Sequence, residues 1–376
     1  MQYRDYGKTG KISALGFGCM RLPEFEKDGN WYVDEEKTTP MLRRAAALGV
    51  NYFDTGYHYC HHNSESALGK ALKPIRDQVL IATKCPMWDV KSARDYCGWL
   101  ERSLKELDTD YVDYFHFWSL DREKFDEKVL GYGLLKEALR FKEEGVIRHI
   151  SFSFHDGAKA IRHIIDRAEI METMLVQYNL LNRENEEMIA YAADKGVGVA
   201  AMGPVGGGRL AAPTGLGGSL TGKPMPTYKL ALKYVLGNPN VSCALSGMAD
   251  EEMLLQNVAI ASEEAPLTEE EWQRIGDSLE QLRRFSDLYC TGCGYCQPCP
   301  AGIKIPEIFE SYTYHNVYEL SERARQMYRK YLEKEGKTRK DCQDCGFCEG
   351  KCPQHIAVRE QLERVEGILE GLCQTN

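Results

Sequence analysis

Eight short apolar runs, spread over roughly the first 250 residues of this chain, constrain its fold more than any other feature of the sequence. Each run is almost continuously apolar, which is typical of strands buried on both faces of a parallel sheet. The segments between the runs carry apolar residues at the 3.6-residue spacing of a helix. The runs begin at Ala14, Asn51, Val79, Tyr111, Val146, Met174, Val197 and Val241.

The number and the spacing of these units predict a closed barrel. Eight strands, each followed by a helix, over about 250 residues have the size of a (β/α)8 or TIM barrel. Gly49, Gly145 and Gly196 stand just before strands, where the C-terminal caps of helices belong. The alternative is a doubly wound open sheet, but the units are evenly spaced and no G-x-G-x-x-G motif opens the first helix. We therefore expect an α/β fold with a barrel domain over residues 1–262.

The charge and the hydropathy pattern exclude several classes of protein. The 47 basic and 56 acidic residues give a formal net charge of −9, which argues against a general nucleic-acid binder or an anionic-membrane binder. No stretch approaches the ~20 consecutive apolar residues of a membrane span. The first residues lack the charged-then-apolar pattern of a secretory signal, so the predicted location is the cytoplasm.

Cysteine is used unevenly, because eight of the 14 cysteines lie between positions 290 and 352. A disulfide framework is not expected in a large chain without an export signal, so clustered thiols indicate metal ligands. The thiols form two runs, and a proline follows the last cysteine of each. The first run is Cys290, Cys293, Cys296 and Cys299, and the second is Cys342, Cys345, Cys348 and Cys352.

Such runs are typical of [4Fe–4S] ligation, in which the fourth cysteine of one run serves the other cluster. One cluster is therefore predicted on Cys290, Cys293, Cys296 and Cys352, and the other on Cys342, Cys345, Cys348 and Cys299. Zinc is the alternative, but it favours separated C-x2-C pairs. The segment resembles the two-cluster ferredoxins, in their α-helical variety. We expect it to form a C-terminal domain over residues 289–376, joined to the barrel by a connecting helix at 263–288.

Polar side chains end three consecutive predicted strands. Asp54 ends the second strand, Lys84 the third and His116 the fourth, and Tyr59 follows Asp54 by five residues. The chemistry of such barrels takes place at the C-terminal ends of the strands. We therefore expect these four side chains to meet in one pocket.

These residue types suit the reduction of a carbonyl group. Hydride arriving at the carbonyl carbon leaves an alkoxide that needs a proton, and tyrosine, with a pKa of about 10, is a poor acid at pH 7. A buried lysine ammonium would lower the pKa of the phenol, and an aspartate would hold the lysine in place. A neutral histidine would hydrogen-bond the carbonyl oxygen. Each residue alone also fits a structural role, as a helix cap, a rim ion pair or a core histidine.

Several segments resemble the aldo-keto reductase family. They are GVNYFDTGYHY followed by SESALGKAL, then VLIATK, YVDYFHFW, VQYNLLNR and GPVGGG, and they span about positions 10 to 260. The resemblance implies that Asp54, Tyr59, Lys84 and His116 are the catalytic tetrad of a carbonyl reductase that uses nicotinamide. It also implies that residues 3–13 form a hairpin capping the barrel bottom. A barrel joined to a ferredoxin-like tail resembles the iron–sulfur branch of the family.

The resemblance also implies which residues hold the organic cofactor. Ser153 and Gln177 match the positions that hold the nicotinamide carboxamide, whereas Phe154 and Met202 depart from the family's asparagine and ring-stacking tyrosine. No lysine or arginine occurs over residues 246–260, where the family grips the 2′-phosphate of NADPH. The remaining cofactor positions are Gly203, Gly206, Ser246, Gly247, Glu252 and Asn257.

The two halves pose a problem of electron counting, because nicotinamide moves two electrons as hydride and each cluster accepts one. A flavin handles both regimes. We therefore expect an oxidoreductase for a small carbonyl or alcohol, with NAD(P)H or FMN in the barrel and two [4Fe–4S] clusters as an electron relay. A ferredoxin or a flavoprotein is the expected redox partner. The alternatives are an NAD(P)H-only reductase with structural or docking clusters, and a slow-turnover regulatory or binding protein.

Overall fold

The computed structural model describes residues 1–154, 156, 158–211, 215–263, 266–278, 288, 290, 292–317 and 320–374. Its strands confirm the eight apolar runs. They are β1 Tyr3–Asp5, β2 Lys11–Ser13, β3 Leu15–Gly18, β4 Glu24–Lys27, β5 Asn30–Val33, β6 Tyr52–Asp54, β7 Leu80–Pro86, β8 Val112–Leu120, β9 Ile147–Phe154, β10 Thr173–Gln177, β11 Gly198–Met202 and β12 Cys243–Gly247.

Eight of these strands close into the predicted barrel, in the order β3-β6-β7-β8-β9-β10-β11-β12. Neighbouring barrel strands pair in parallel, with registers such as Lys84 opposite His116 and Leu175 opposite Ser153. Parallel strands need crossovers, and helices supply them. The longer helices up to residue 262 are Glu35–Ala47, Ser64–Leu72, Ala93–Leu107, Leu134–Glu143, Lys159–Arg167, Glu186–Asp194, Thr227–Gly237 and Glu251–Ser262.

The helix Ala93–Leu107 shows how local sequence sets these elements. The Ser92 side chain accepts a hydrogen bond from the Asp95 N–H, which satisfies a donor of the first turn. The buried residues Tyr96, Leu100 and Leu107 share one face at helical spacing. The predicted caps of three other helices also occur, since Gly49, Gly145 and Gly196 have φ values of 94°, 75° and 76°.

The hairpin of β1 and β2 covers the N-terminal end of the barrel, as predicted for residues 3–13. Tyr6, which follows β1, is fully buried against Tyr52 and Tyr114 inside the barrel. The Ser242 hydroxyl donates to the Asp5 carbonyl at 2.7 Å just before β12 begins. This end of the barrel is thereby filled with side chains. An active site is therefore expected at the opposite end, where the strands have their C-terminal ends.

A second hairpin, formed by β4 and β5, was not predicted. Its two-residue turn is Asp28-Gly29, and both residues have positive φ values, of 54° and 77°. An Asp-Gly pair between two strands is a strong hairpin signal, because both residues tolerate the left-handed region. The segment EFEKDGNWYV therefore carried a sequence signal for this hairpin.

By its contacts the chain divides into one unit of residues 1–204 and 231–267, and another of residues 205–230 and 268–376. The predicted domains assign residues 205–230 to the barrel, so the two divisions differ there. In the second unit, Lys223 pairs with Glu271 at 2.6 Å. The domain boundaries 1–262, 263–288 and 289–376 remain our proposal. Within the predicted connecting helix, Glu269–Asp277 is helical, and residues 279–287 lie outside the described residues.

The second unit has its own apolar core, to which Phe309, Tyr328, Leu362 and Val365 contribute. The helices of this unit include Leu216–Thr221, Glu269–Asp277, Ile305–Asn316, Ser321–Lys334, Phe347–Gly350 and Val358–Gln374. Cysteines of both runs pack against this core, which agrees with the predicted helical character of the C-terminal region. Among the described residues, no helix has both the length and the apolar character that crossing a bilayer requires.

Candidate active site

The ends of β6, β7 and β8 bring three of the predicted residues together. Asp54 is the last residue of β6, and it pairs with Ala82 two residues before Lys84 on β7. Lys84 in turn lies opposite His116 on β8. All three side chains are buried, with exposures of 0–1%. Three ionisable groups are therefore packed at one edge of the barrel, in a place where water is excluded.

Lys84 and Asp54 form a buried ion pair. The Lys84 Nζ donates to Asp54 Oδ1 at 2.5 Å and also contacts the Thr55 carbonyl oxygen. Burial raises the pKa of Asp54, and the charge of Lys84 opposes that shift. Such a pair is costly to desolvate, so it is better explained by chemistry than by stability.

Tyr59 lies next to this ion pair. The Lys84 ammonium is 4.7 Å from the centroid of the Tyr59 ring, within cation–π range. Trp118 packs edge-on against the same ring, with centroids 5.4 Å apart. Tyr59 is 9% exposed, whereas the lysine beneath it is 1% exposed. The tyrosine is therefore the group of this cluster that is nearest to solvent.

His116 contacts the same carboxylate from the neighbouring strand. Its Nε2 is 3.6 Å from Asp54 Oδ2 and 3.5 Å from the Tyr52 hydroxyl. Burial, together with the nearby charge of Lys84, holds the pKa of His116 well below its usual value, so the ring is neutral at pH 7. Because Nε2 faces protein groups here, the carbonyl-orienting role of His116 stays a prediction.

Tyr52 is a site residue that the sequence reasoning missed. It lies two residues before Asp54 on β6, so both side chains point to the same face of the strand. Its hydroxyl reaches the His116 ring, and its own ring is fully buried. The alternation in NYFDT would have indicated this placement.

The predicted nicotinamide residues lie at adjacent strand ends. The Ser153 hydroxyl accepts a hydrogen bond from the Ser119 N–H at 2.8 Å. Gln177 ends β10, and its side chain lies so close to Gly203 that a Cβ at residue 203 would come within 2.7 Å of Nε2. A nearly buried amide and a nearly buried hydroxyl are the hydrogen-bonding groups that a carboxamide needs, so these residues fit a nicotinamide.

The remaining predicted cofactor residues are brought together only in part. Asn257 donates to the Ser246 hydroxyl at 3.2 Å, and both are buried. The Glu252 carboxylate lies on the exposed side of its helix and accepts from Gln256 at 3.0 Å. Gly247 is exposed at the end of β12. Gly206, which has a φ of 60°, belongs to the other unit.

The cysteines gather in two pockets within the second unit, each lined by four thiols. The first cysteine pocket is lined by Cys290, Cys293, Cys296 and Cys352. The second cysteine pocket is lined by Cys299, Cys342, Cys345 and Cys348. In each, one thiol comes from the other run. That these four thiols ligate one cluster stays a prediction. Four thiols around one pocket fit the ligand set of a [4Fe–4S] cluster.

Backbone amides in both runs point at the sulfur atoms. The Gly292 N–H donates to Cys290 Sγ, and the Asp344 N–H donates to Cys342 Sγ, each at 3.4 Å. Burial and the neighbouring thiols raise the pKa of Cys290 to about 11 and that of Cys296 to about 12. At pH 7 these two thiols are protonated when no metal is bound, and a bound metal would be needed to hold them as thiolates.

The aldo/keto reductase family model matches residues 14–217, which is more than half of the chain. The chain belongs to the aldo/keto reductase family. A second model, for a 4Fe-4S dicluster domain, matches residues 289–357 and covers both cysteine runs. The protein is thus an oxidoreductase of this family whose C-terminal region carries a dicluster domain, as the resemblance in the sequence predicted.

Named relatives support the same family. The L-galactose dehydrogenase of Arabidopsis thaliana is 29% identical over 294 residues, covering 70% of this chain and 89% of its own. The uncharacterized oxidoreductase YqkF of Bacillus subtilis is 26% identical over 331 residues, covering 75% and 97%. Both alignments take in nearly the whole of the relative.

Solved structures share the barrel. The holo form of aldo-keto reductase AKR11C1 from Bacillus halodurans is 27% identical, with a TM-score of 0.63 over 74% of this chain and 96% of that one. An aldo-keto reductase from Klebsiella pneumoniae, solved in complex with NADPH, has a TM-score of 0.62 over 74% and 95%. At 22% identity the second likeness concerns the fold alone.

Proposed function

We propose that this aldo/keto reductase interconverts a small carbonyl compound and its alcohol, with Tyr59 as the proton donor and NAD(P)H as the hydride carrier. The observation that carries the proposal is the buried Lys84 ammonium, which lies between the Asp54 carboxylate and the Tyr59 ring. No ordinary packing role requires a charged lysine at that depth. In a carbonyl reduction a cation beside the phenol helps it to give up its proton, because the cation stabilises the phenolate.

The protein's own residues perform the proton chemistry. NAD(P)H, when bound, supplies a hydride to the carbonyl carbon. The carbonyl oxygen then takes the Tyr59 proton, and the Lys84 ammonium stabilises the phenolate that remains. Asp54 keeps Lys84 charged and in place, and His116 is proposed to orient the carbonyl oxygen. In the reverse direction the alcohol is oxidised: its hydroxyl proton returns to the Tyr59 phenolate, and its hydride would be taken up by NAD(P)⁺.

The surface beside Tyr59 favours a substrate with a flat or apolar body. Trp118 touches Tyr59, and Trp88 packs against Trp118 with centroids 4.9 Å apart. Trp88 is 39% exposed, so an aromatic face remains open to solvent. We propose that this face forms one wall of the substrate pocket.

The clusters are proposed to relay single electrons between the enzyme and a redox partner, such as a ferredoxin or a flavoprotein. In alcohol oxidation, the two electrons of the departing hydride would pass one to each cluster, and its proton would be released. The four-thiol cysteine pockets and the dicluster match support the presence of two clusters. A flavin remains the chemical alternative for linking hydride to single electrons, but the compared proteins give it no support. A structural role is the second candidate, because the cluster cysteines pack against the apolar core of their unit.

Substitution of Tyr59 tests the proton-donor role. Tyr59→Phe is expected to lower kcat by a factor of about 10² to 10⁴, the usual contribution of a positioned acid. The assay is anaerobic reduction of 4-nitrobenzaldehyde with NADH and with NADPH. Tyr132→Phe, at an exposed tyrosine, is the matched control and is expected to keep full activity. Equal turnover by wild type and Tyr59→Phe would show that the phenol is not the acid.

Single-turnover spectroscopy separates the two roles of the clusters. A relay predicts that NADPH or an alcohol substrate reduces the clusters, as followed by low-temperature EPR. A structural role predicts an unchanged EPR signal during full carbonyl turnover. Acid release of the organic cofactor in the same preparation distinguishes nicotinamide from flavin by absorption.

A further inference from the structure

Tyr59 is followed by a turn with a strained backbone conformation. Cys60, His61 and His62 have φ values of 48°, 50° and 71°, so three non-glycine residues in succession adopt the left-handed region. We call these residues the left-handed turn. L-residues avoid this region, and such strain persists only where the surroundings hold it.

The left-handed turn is bonded directly to the Tyr59 backbone. The His62 and Ser64 N–H groups both donate to the Tyr59 carbonyl oxygen, at 3.0 and 3.4 Å. On its inner side the turn contacts the barrel rim, where the Cys60 thiol lies 3.5 Å from the Cys19 carbonyl oxygen. Any relaxation of the turn is therefore transmitted to Tyr59.

The hairpin of β4 and β5 supports the outer side of the turn. The Trp31 ring stacks on the His61 ring, with centroids 5.0 Å apart and planes at 13°. Glu24 Oε1 lies 2.8 Å from His61 Nδ1. The Asn63 side chain donates both to the Trp31 carbonyl oxygen and to the His61 carbonyl oxygen, each at 3.0 Å. The hairpin and the turn thus share a ring stack, a carboxylate–imidazole contact and an amide bridge.

The register of the hairpin places Trp31 and Glu24, whose side chains contact His61, on the same face. Glu24 pairs with Val33 and Glu26 pairs with Trp31, so these four side chains share one face. Phe25 and Tyr32 form a pair on the other face, where their rings stack 5.8 Å apart and are 45% and 43% exposed. A substitution on the first face, at Trp31, therefore tests the contact with the turn, and a substitution on the other face, at Phe25, is its control.

We propose that this hairpin is a clamp that positions Tyr59, with Trp31 as its main positioning residue and Glu24 as a secondary one. Trp31 acts through His61 and the left-handed turn, and it holds the phenol over the Lys84 ammonium. The proposal rests on the proposed function only where it takes Tyr59 as the proton donor. The clamp itself stands on the contacts between the hairpin and the turn.

The position of Tyr59 is measured by ¹⁹F NMR of protein labelled with 3-fluorotyrosine, where the Tyr59 signal is the one lost in Tyr59→Phe. Trp31→Ala is expected to shift or broaden that signal and to speed hydrogen exchange of the amides at residues 59–64 at least tenfold. With 4-nitrobenzaldehyde and NADPH, kcat is expected to fall five- to tenfold while the KM for NADPH stays constant. Trp31→Phe, which keeps a ring over His61, is expected to restore all three readouts to within twofold.

Phe25→Ala is the matched control, and it is expected to leave the signal, the exchange and kcat unchanged. Glu24→Gln removes only the negative charge beside His61, and it is expected to move the Tyr59 signal in the same direction by less. If Trp31→Ala does not fold, Glu24→Gln tests whether the hairpin positions Tyr59. The clamp is overturned if Trp31→Ala and Phe25→Ala behave alike, or if the turn loosens with no change in the Tyr59 signal and in kcat. If wild type reduces no aldehyde, the proposed function fails, and the ¹⁹F signal still decides the clamp.

Discussion

At the scale of single residues, the buried ion pair of Lys84 and Asp54 dominates the energetics of the site. Both side chains are about 1% exposed, so each has lost its hydration and depends on the other. Removing one partner of a buried pair leaves an uncompensated charge, which typically costs ~3–5 kcal/mol. Replacing both partners by groups without charge removes that penalty. The pair is therefore a place where stability and activity respond differently to substitution.

A double-mutant cycle is expected to show this difference. Asp54→Asn and Lys84→Met are each expected to lower the free energy of unfolding by ~3–5 kcal/mol, and the double variant by much less than their sum. Carbonyl reduction is expected to be lost in all three variants, because each of them lacks either the Lys84 ammonium or the Asp54 carboxylate that holds it in place. Urea unfolding and kcat measure the two effects. Additive losses of stability would contradict a coupled pair.

At the scale of elements, the carboxylate of Glu172 links neighbouring parts of the barrel away from the active site. Glu172 precedes β10 and receives three hydrogen bonds, from Lys142 at 2.6 Å, from His149 at 3.1 Å and from the Ile150 N–H at 3.0 Å. Burial alone would raise its pKa, but these hydrogen bonds outweigh burial and hold the pKa at about 2. One carboxylate thus joins β9 to the segment that leads into β10.

The pKa of Glu172 predicts how stability depends on pH. The folded-state pKa of about 2 lies below the ordinary value of 4.5, so the carboxylate stabilises the fold above pH 4.5. That contribution is lost as the pH falls from 4.5 towards 2. Glu172→Gln is expected to cost ~2–3 kcal/mol at pH 7 and little near pH 2. Chemical denaturation between pH 2 and pH 7 measures this loss in the free energy of unfolding, and Glu169→Gln, at an exposed glutamate, is the control. A loss that does not change with pH would contradict the role given to the Glu172 carboxylate.

Sequence patterns were sufficient for the barrel strands and not for every element around them. The apolar runs located all eight strands, because burial on both faces leaves a continuous apolar signature. The β4–β5 hairpin lacked that signature, since Phe25, Trp31 and Tyr32 are exposed. Only its Asp28-Gly29 turn marked it in the sequence. The three positive φ values after Tyr59 had little sequence signal, because Cys does not favour that region and His, although enriched there, adopts it in only a small fraction of cases.

At the scale of the whole molecule, the two cysteine pockets depend on contacts that span the C-terminal region. Cys352 joins the first run in one pocket, and Cys299 joins the second run in the other. The segment between the runs forms the helices Ile305–Asn316 and Ser321–Lys334. Each cluster would therefore link both ends of this segment.

This crossing of ligands has a direct test. Cys352→Ser is expected to impair the cluster of the first run, and Cys299→Ser that of the second, so each variant loses about half of the iron and sulfide. Cys373→Ser is the control, because Cys373 lines neither pocket and is expected to keep full iron. Anaerobic iron and sulfide quantitation with Mössbauer spectroscopy measures the outcome. Loss of the same-run cluster in either variant would show that the ligands do not cross.

The sequence by itself determined the barrel, the two cysteine runs and the identities of Asp54, Tyr59, Lys84 and His116 as candidates. It did so because periodic burial and fixed ligand spacing are local properties of the chain. Only the tertiary structure decided that Lys84 lies under the Tyr59 ring, and that Nε2 of His116 faces Asp54 and Tyr52. It also decided that Trp31 stacks on His61. These contacts join residues that are far apart in the sequence, and their distances arise from closure of the barrel and packing around it.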